Sequence, residues 1–84
     1  MTIQVRFFAA LREKVGMSSF DVALAAGSDL TDLLAVLQVE LRTAAFDALR
    51  APNVRIAVNR EFIEGHHVLH DGDEVAFMPP ITGG

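Results

Sequence analysis

The chain closes on Pro79-Pro80-Ile81-Thr82-Gly83-Gly84. Glycine has no β-carbon, so a terminal Gly-Gly can pass through a channel too narrow for any other residue and take backbone angles others avoid. The group it would carry there is the main-chain carboxylate of Gly84. A carboxylate is a poor electrophile until it becomes an acyl-adenylate; once activated, its carbonyl carbon can accept sulfur or an amine. Six residues from Pro79 to Gly84 can reach roughly 20 Å when extended, at about 3.3–3.6 Å each. The alternative for the same residues is a frayed end whose glycines do nothing.

Other chemistry-bearing residues point less far. His66, His67 and His70 have metal-like spacing, but convergence on one ion needs a fixed backbone and usually more ligands. Their neighbours Asp71 and Asp73 make a solvated loop the simpler reading. Asp71, Asp73 and Glu74 lack the later ligands of a calcium loop and read as a turn. Ser18, Ser19 and Thr31 have no histidine at an interpretable spacing. Gly27-Ser28-Asp29 is no phosphate cradle. The sequence contains no cysteine, which excludes disulfides, thiolate metal sites and thiol catalysis. Lys14 is the only lysine. No metal and no bound cofactor are therefore expected, nor a side-chain catalyst.

The elements that must hold the terminus in place follow from periodicity. Ile3, Val5 and Phe7 alternate with Gln4, Arg6 and Phe8, which predicts a strand over 2–8. Ala9 to Val15 suits a short helix stopped by Gly16. Phe20, Val22 and Leu24 alternate in a second strand at about 18–25, antiparallel to the first. Ser28 or Asp29 can cap the next helix, with Asp32 adding negative charge to its first turn. Leu30, Leu33, Leu34, Leu37 and Leu41 form one apolar stripe, placing the main helix at about 30–42. Thr43 to Ala51 reads as a looser helical turn closed by Pro52. Strands follow at 54–59, at Phe62-Ile63 and at 74–78, with a polar loop from Gly65 to Asp73. Pro79-Pro80 stops the last strand, because proline offers no N–H to a ladder.

With 84 residues, 51% hydrophobic and 21% charged, the chain is one small domain with a packed core. Strand, strand, helix, strand, short strand, strand is an α+β order: a mixed sheet packed on one main helix. The compact fold with that order is the ubiquitin-like β-grasp. We place the domain at 1–80 and a flexible tail at 81–84. Seven basic against 11 acidic residues give a net charge of −4, which disfavours nucleic acid as a partner. No apolar run suits a signal peptide or a bilayer span, so a cytoplasmic protein without a membrane partner is expected. So small a chain is better suited to be a carrier or subunit than a complete enzyme.

Alternation also sorts the sheet's faces. If Ile3, Val5, Phe7, Ile56, Val58, Val75 and Phe77 face the helix, then Phe8, Ala57, Phe62, Ala76 and Met78 lie on or near the opposite face. Such a face would be a docking surface that aims the tail into a partner. A one-residue slip in register would reverse every assignment.

VRFFAALREKVG near the start, AVNREF in the middle and DGDEVAFMPPITGG at the end resemble the small subunits of molybdopterin synthase, a family of ubiquitin-like sulfur carriers. The resemblance covers nearly the whole chain and is weakest at Thr43 to Asn53. The acidic turn, apolar strand, Pro-Pro and aliphatic-Thr-Gly-Gly make its most specific motif; Met78 replaces a phenylalanine common there. The resemblance implies a β-grasp whose Gly84 is adenylated by a ubiquitin-activating-like adenylyltransferase using ATP. A persulfide sulfur donor would then convert it to a thiocarboxylate. The charged tail would enter the active site of the large synthase subunit, in a tetramer of two small and two large subunits. Its sulfur would pass to cyclic pyranopterin monophosphate, in two transfers that build the dithiolene of molybdopterin. In this picture Gly84 carries the sulfur, Gly83 keeps the tail thin, and Pro79, Pro80, Ile81 and Thr82 line the way in. Phe8, Phe62 and Met78 match partner-facing apolar positions, and Arg12 a polar contact to the activating enzyme. Three alternatives remain: a carrier serving thiamin thiazole or cysteine synthesis, a protein modifier forming isopeptide bonds through Gly84, and an interaction module with an idle tail.

Overall fold

Among the described residues, alternating apolar residues build five strands, and apolar stripes at helical spacing build three helices packed on one face of them. The computed structural model describes residues 1–79. In chain order these are β1 (Thr2–Phe7), α1 (Ala9–Val15), β2 (Ser19–Ala23), α2 (Leu30–Glu40), α3 (Thr43–Leu49), β3 (Arg55–Val58), β4 (Glu61–Ile63) and β5 (Glu74–Met78). One mixed sheet has the order β2-β1-β5-β3-β4. The last strand lies in the middle, parallel to β1 and antiparallel to β3. This is the β-grasp architecture expected from the element order.

The sheet's inner face and the helices share one core. Ile3, Val5, Phe7, Val75 and Phe77 are buried against Leu33, Leu37 and Leu11. Phe7 sits at the centre, its ring 6.0 Å from those of both Phe20 and Phe77. The leucine stripe of α2 packs as expected, with Leu30, Leu33 and Leu37 buried and Leu34 and Leu41 partly so. Asp29, one of the two expected caps, starts that helix through a reciprocal capping box. Its carboxylate accepts from the Asp32 N–H, and the Asp32 carboxylate accepts from the Asp29 N–H, both at 3.0 Å. The Asp32 N–H is also the main reason the Asp29 carboxyl lies below its ordinary range. Gly16, at φ 88°, ends α1 in the left-handed conformation that glycine takes without strain.

Three expectations are corrected. Residues 43–49 form a proper helix, α3, not a loose turn, because Ala45, Phe46 and Leu49 bury one side of it. Thus α2 is joined by two shorter helices. Phe8 leaves the strand and becomes the N-terminal cap residue of α1, although its N–H still donates to the Phe77 carbonyl at 3.2 Å. The loop from Gly65 to Asp73 is not merely polar: Leu69 is buried in the core. That loop is fastened at Asp29–Val68 by an isolated bridge and by backbone bonds from Leu30 to His67 and from Leu69 to Ser28.

Candidate functional site

β5 delivers the chain to residue 79 at the centre of the sheet, with β1 on one side and β3 on the other. The base of β5 is held by the acidic turn. The Asp71 carboxylate accepts from the Thr2 N–H at 2.8 Å. The Asp73 carboxylate accepts from the His70 N–H and from the Asn59 side-chain amide, both at 2.8 Å. Asn59 in turn accepts from the Glu74 N–H at 3.0 Å, which ties the β3–β4 turn to the first residue of β5. These carboxylates act as structural clasps. Burial pushes the Asp73 carboxyl up, but the Asn59 amide, the His70 N–H and the imidazolium charges of His70 and His67 outweigh it. The net pKa is below the ordinary aspartate value.

The strand registers settle which residues share the outer face. Arg6 pairs with Ala76, Ala76 with Ala57, and Ala57 with Phe62, so these four form one row across four strands. The next row toward the exit holds Met78 opposite Arg55. Side chains alternate along a strand, so this face is opposite the one carrying Phe7, Phe77 and Ile56. The expected outward set of Ala57, Phe62, Ala76 and Met78 is therefore assembled on one face. Phe8 joins it from the end of β1 through its ring contact with Arg6, below. Phe62 is 51% exposed, while Phe8, Met78 and Pro79 are half-buried.

Two arginines that the sequence reading did not single out complete the face. The Arg6 guanidinium carbon lies 4.9 Å from the centre of the Phe8 ring, and that of Arg55 lies 3.9 Å from the centre of the Phe62 ring. Both are cation–π contacts. Beneath them Ala57 and Ala76 are almost fully buried although they do not belong to the inner core. Arginine stems and phenylalanine rings cover the small-residue floor. The signal was in the sequence: Arg6 and Arg55 alternate with Val5, Phe7 and Ile56, in the same outward phase as Ala57 and Met78.

Arg12 stands on the exposed side of α1, one turn beyond Phe8, with no hydrogen bond or ion pair to the face among the described residues. Lys14 is likewise exposed on α1. His66 and His70 are exposed beside the loop's carboxylates, with Nδ1 atoms 3.4 Å from Asp29 and 3.9 Å from Asp73. Pro80, Ile81, Thr82, Gly83 and Gly84 lie outside the described residues, as does the boundary between domain and tail. Among the described residues, no helix is long and apolar enough to cross a membrane.

Residues 5–84 match the sequence profile of the ThiS family. The chain belongs to that family. Among its relatives, the molybdopterin synthase sulfur carrier subunit of Escherichia coli is 39% identical over 84 residues, covering 98% of this chain and 99% of that one. Small archaeal modifier protein 3 of Haloferax volcanii is 31% identical over 93 residues and the full length of both. Among solved structures, a chain of the complex of subunits 1 and 2 of the molybdopterin-converting factor from Helicobacter pylori is 29% identical. It superposes over the full length of both chains with a TM-score of 0.75.

Proposed function

We propose that this ThiS-family chain is the sulfur-carrier subunit of a molybdopterin synthase. The observation that carries the reading is the end-to-end identity with the E. coli sulfur carrier subunit, at 39% and 98% coverage. The H. pylori likeness supports a second synthase subunit as partner, because that structure is a complex of subunits 1 and 2. The apolar outer face beside the exit of β5 is suited to seat that large subunit.

In this reading the Gly84 carboxylate attacks the α-phosphate of ATP on an adenylyltransferase, and pyrophosphate leaves. The terminal sulfur of a donor persulfide then displaces AMP to give an acyl disulfide. A second thiol attacks the S–S bond, releasing the Gly84 thiocarboxylate and leaving a disulfide between the two thiols. The tail enters the large subunit, where its sulfur bonds to cyclic pyranopterin monophosphate and water then cleaves the acyl–sulfur bond, returning Gly84 to its carboxylate. This chain supplies sulfur and aim: Gly83 and Gly84 stay thin, Pro79, Pro80, Ile81 and Thr82 line the way in, and Phe8, Phe62 and Met78 seat the partner. Arg12 contacts the activating enzyme. Acids, bases and phosphate-binding groups belong to the partners, so the protein is a sulfurtransferase only as part of the assembly, and its place is the cytoplasm.

Reconstitution tests the reading. Thiocarboxylated carrier plus the large subunit from the same genome should convert cyclic pyranopterin monophosphate to molybdopterin. Carrier lacking Gly83-Gly84 should not. Failure of the intact pair to convert, with both proteins folded and the thiocarboxylate present, refutes it. The likeness to small archaeal modifier protein 3 favours a second reading, in which activated Gly84 also forms isopeptide bonds. High-mass conjugates that vanish on deletion of Gly84 would establish that role.

A further inference from the structure

The outer face is unlike the rest of the molecule in charge. The chain carries −4 overall, yet the two rows nearest the end of β5 present Arg6 and Arg55 with no carboxylate opposite them on β5. On the other side, the β3–β4 register carried one residue further puts Glu64 opposite Arg55. The other carboxylates of this face lie at its far end, where Gln4 pairs with both Asp21 and Glu74. Glu74 reaches Arg6 only loosely, at 3.7 Å. Arg55 has no ion pair within 4.0 Å among the described residues, and Glu64 flanks it at the rim. Each guanidinium is steadied by a phenylalanine ring, so less rotamer freedom is lost when a partner binds.

We propose that Arg6 and Arg55 are specificity-determining contacts of this carrier: they select a large synthase subunit whose docking depression is rimmed by carboxylates. The proposal rests on the synthase reading above and adds to it the chemistry of the partner surface. One strand, β5, separates the arginines, so they lie two strand spacings apart, or roughly 10 Å across the sheet at about 4.8 Å per spacing. That is close to the screening length of about 8 Å at physiological ionic strength, so the two charges act as partly independent reporters of salt. The phenylalanines and Met78 exclude water between them, which strengthens a guanidinium–carboxylate contact relative to one in open solvent. Attraction of this kind acts chiefly on the association rate, which it raises by about tenfold or more at low salt.

The test is association of the full-length carrier with the large subunit from the same genome, measured at low and high salt. Unaltered carrier, Arg55→Leu, Arg55→Glu and Arg6→Met are compared. Arg55 is exposed and Arg6 is half-exposed, so the variants should fold, and their melting temperatures check this. The proposal expects the unaltered association rate to fall steeply with salt. Arg55→Glu should slow association about tenfold or more at low salt, and Arg55→Leu and Arg6→Met severalfold. All differences should shrink at high salt. Folded variants that keep the unaltered rate within twofold, with the same salt dependence, overturn it. Faster binding by Arg55→Glu also overturns it, since it indicates a basic rim. If the unaltered carrier does not bind the large subunit at all, the synthase reading falls and this proposal with it. Binding that ignores charge removes only the proposal.

Discussion

Replacing Asp73 should loosen the base of the strand that delivers the tail. Its side chain is only 12% exposed and accepts two hydrogen bonds, from the Asn59 amide and the His70 N–H. Bonds to a charged acceptor contribute about 1.5–3 kcal/mol each, less where water can replace the partner, and both donors lie at the surface. Asp73→Ala should therefore cost about 2–3 kcal/mol, or about 10–20 °C in melting temperature for a domain of this size. In Asp73→Asn one donor meets an NH2 group instead of an oxygen, so about half that loss is expected. The folded carboxyl has a depressed pKa. Its stabilising contribution is thus complete above the unfolded value near 3.8 and disappears as pH falls through the lower folded value. The stability gap between the unaltered protein and Asp73→Asn should be full at neutral pH and narrow strongly in acid. Urea titrations at neutral pH and at about pH 2.5 measure both. A loss for Asp73→Ala below about 0.5 kcal/mol, or a gap to Asp73→Asn that does not change with pH, would refute the clasp.

Leu69→Ala should destabilise the protein by about 2–5 kcal/mol in chemical denaturation, because a residue in an apparently polar loop fills the core. Arg60 follows Asn59 in the two-residue β3–β4 turn, and both have positive φ, at 72° and 50°. Arg60→Gly should relieve left-handed strain and raise stability by about 0.5–1 kcal/mol, seen as a higher melting temperature. Phe62→Ala should cost under about 1 kcal/mol of stability, since half of the ring is already exposed, while weakening large-subunit binding at least tenfold by calorimetry.

Much of this was legible from the residues alone. Strand β5 and helix α1 fall where period and terminators put them, because alternation ended by proline, and a short helix ended by glycine, are local signals. The outer face was legible too, since alternation fixes Phe62 and Met78 on one side once the inner set is named. What was missed depends on long-range contact. Leu69 reads as loop until the bridge at Asp29–Val68 draws it inward. Helix α3 has too short a stripe to declare itself without the core that buries Phe46. Arg6 and Arg55 look like ordinary solvent-facing charges. Only the cross-strand registers place them over a floor of Ala57 and Ala76 and against phenylalanine rings.

In the proposed function, the reaction of this chain takes place at the carbonyl of Gly84. Intact-mass measurement on carrier co-expressed with its adenylyltransferase and persulfide donor tests it most directly. A species heavier by the difference between one sulfur and one oxygen is expected. The extra mass should map to the C-terminal peptide and vanish when Gly84 is deleted. An unmodified mass in the presence of active partners, or added sulfur elsewhere in the chain, would contradict it.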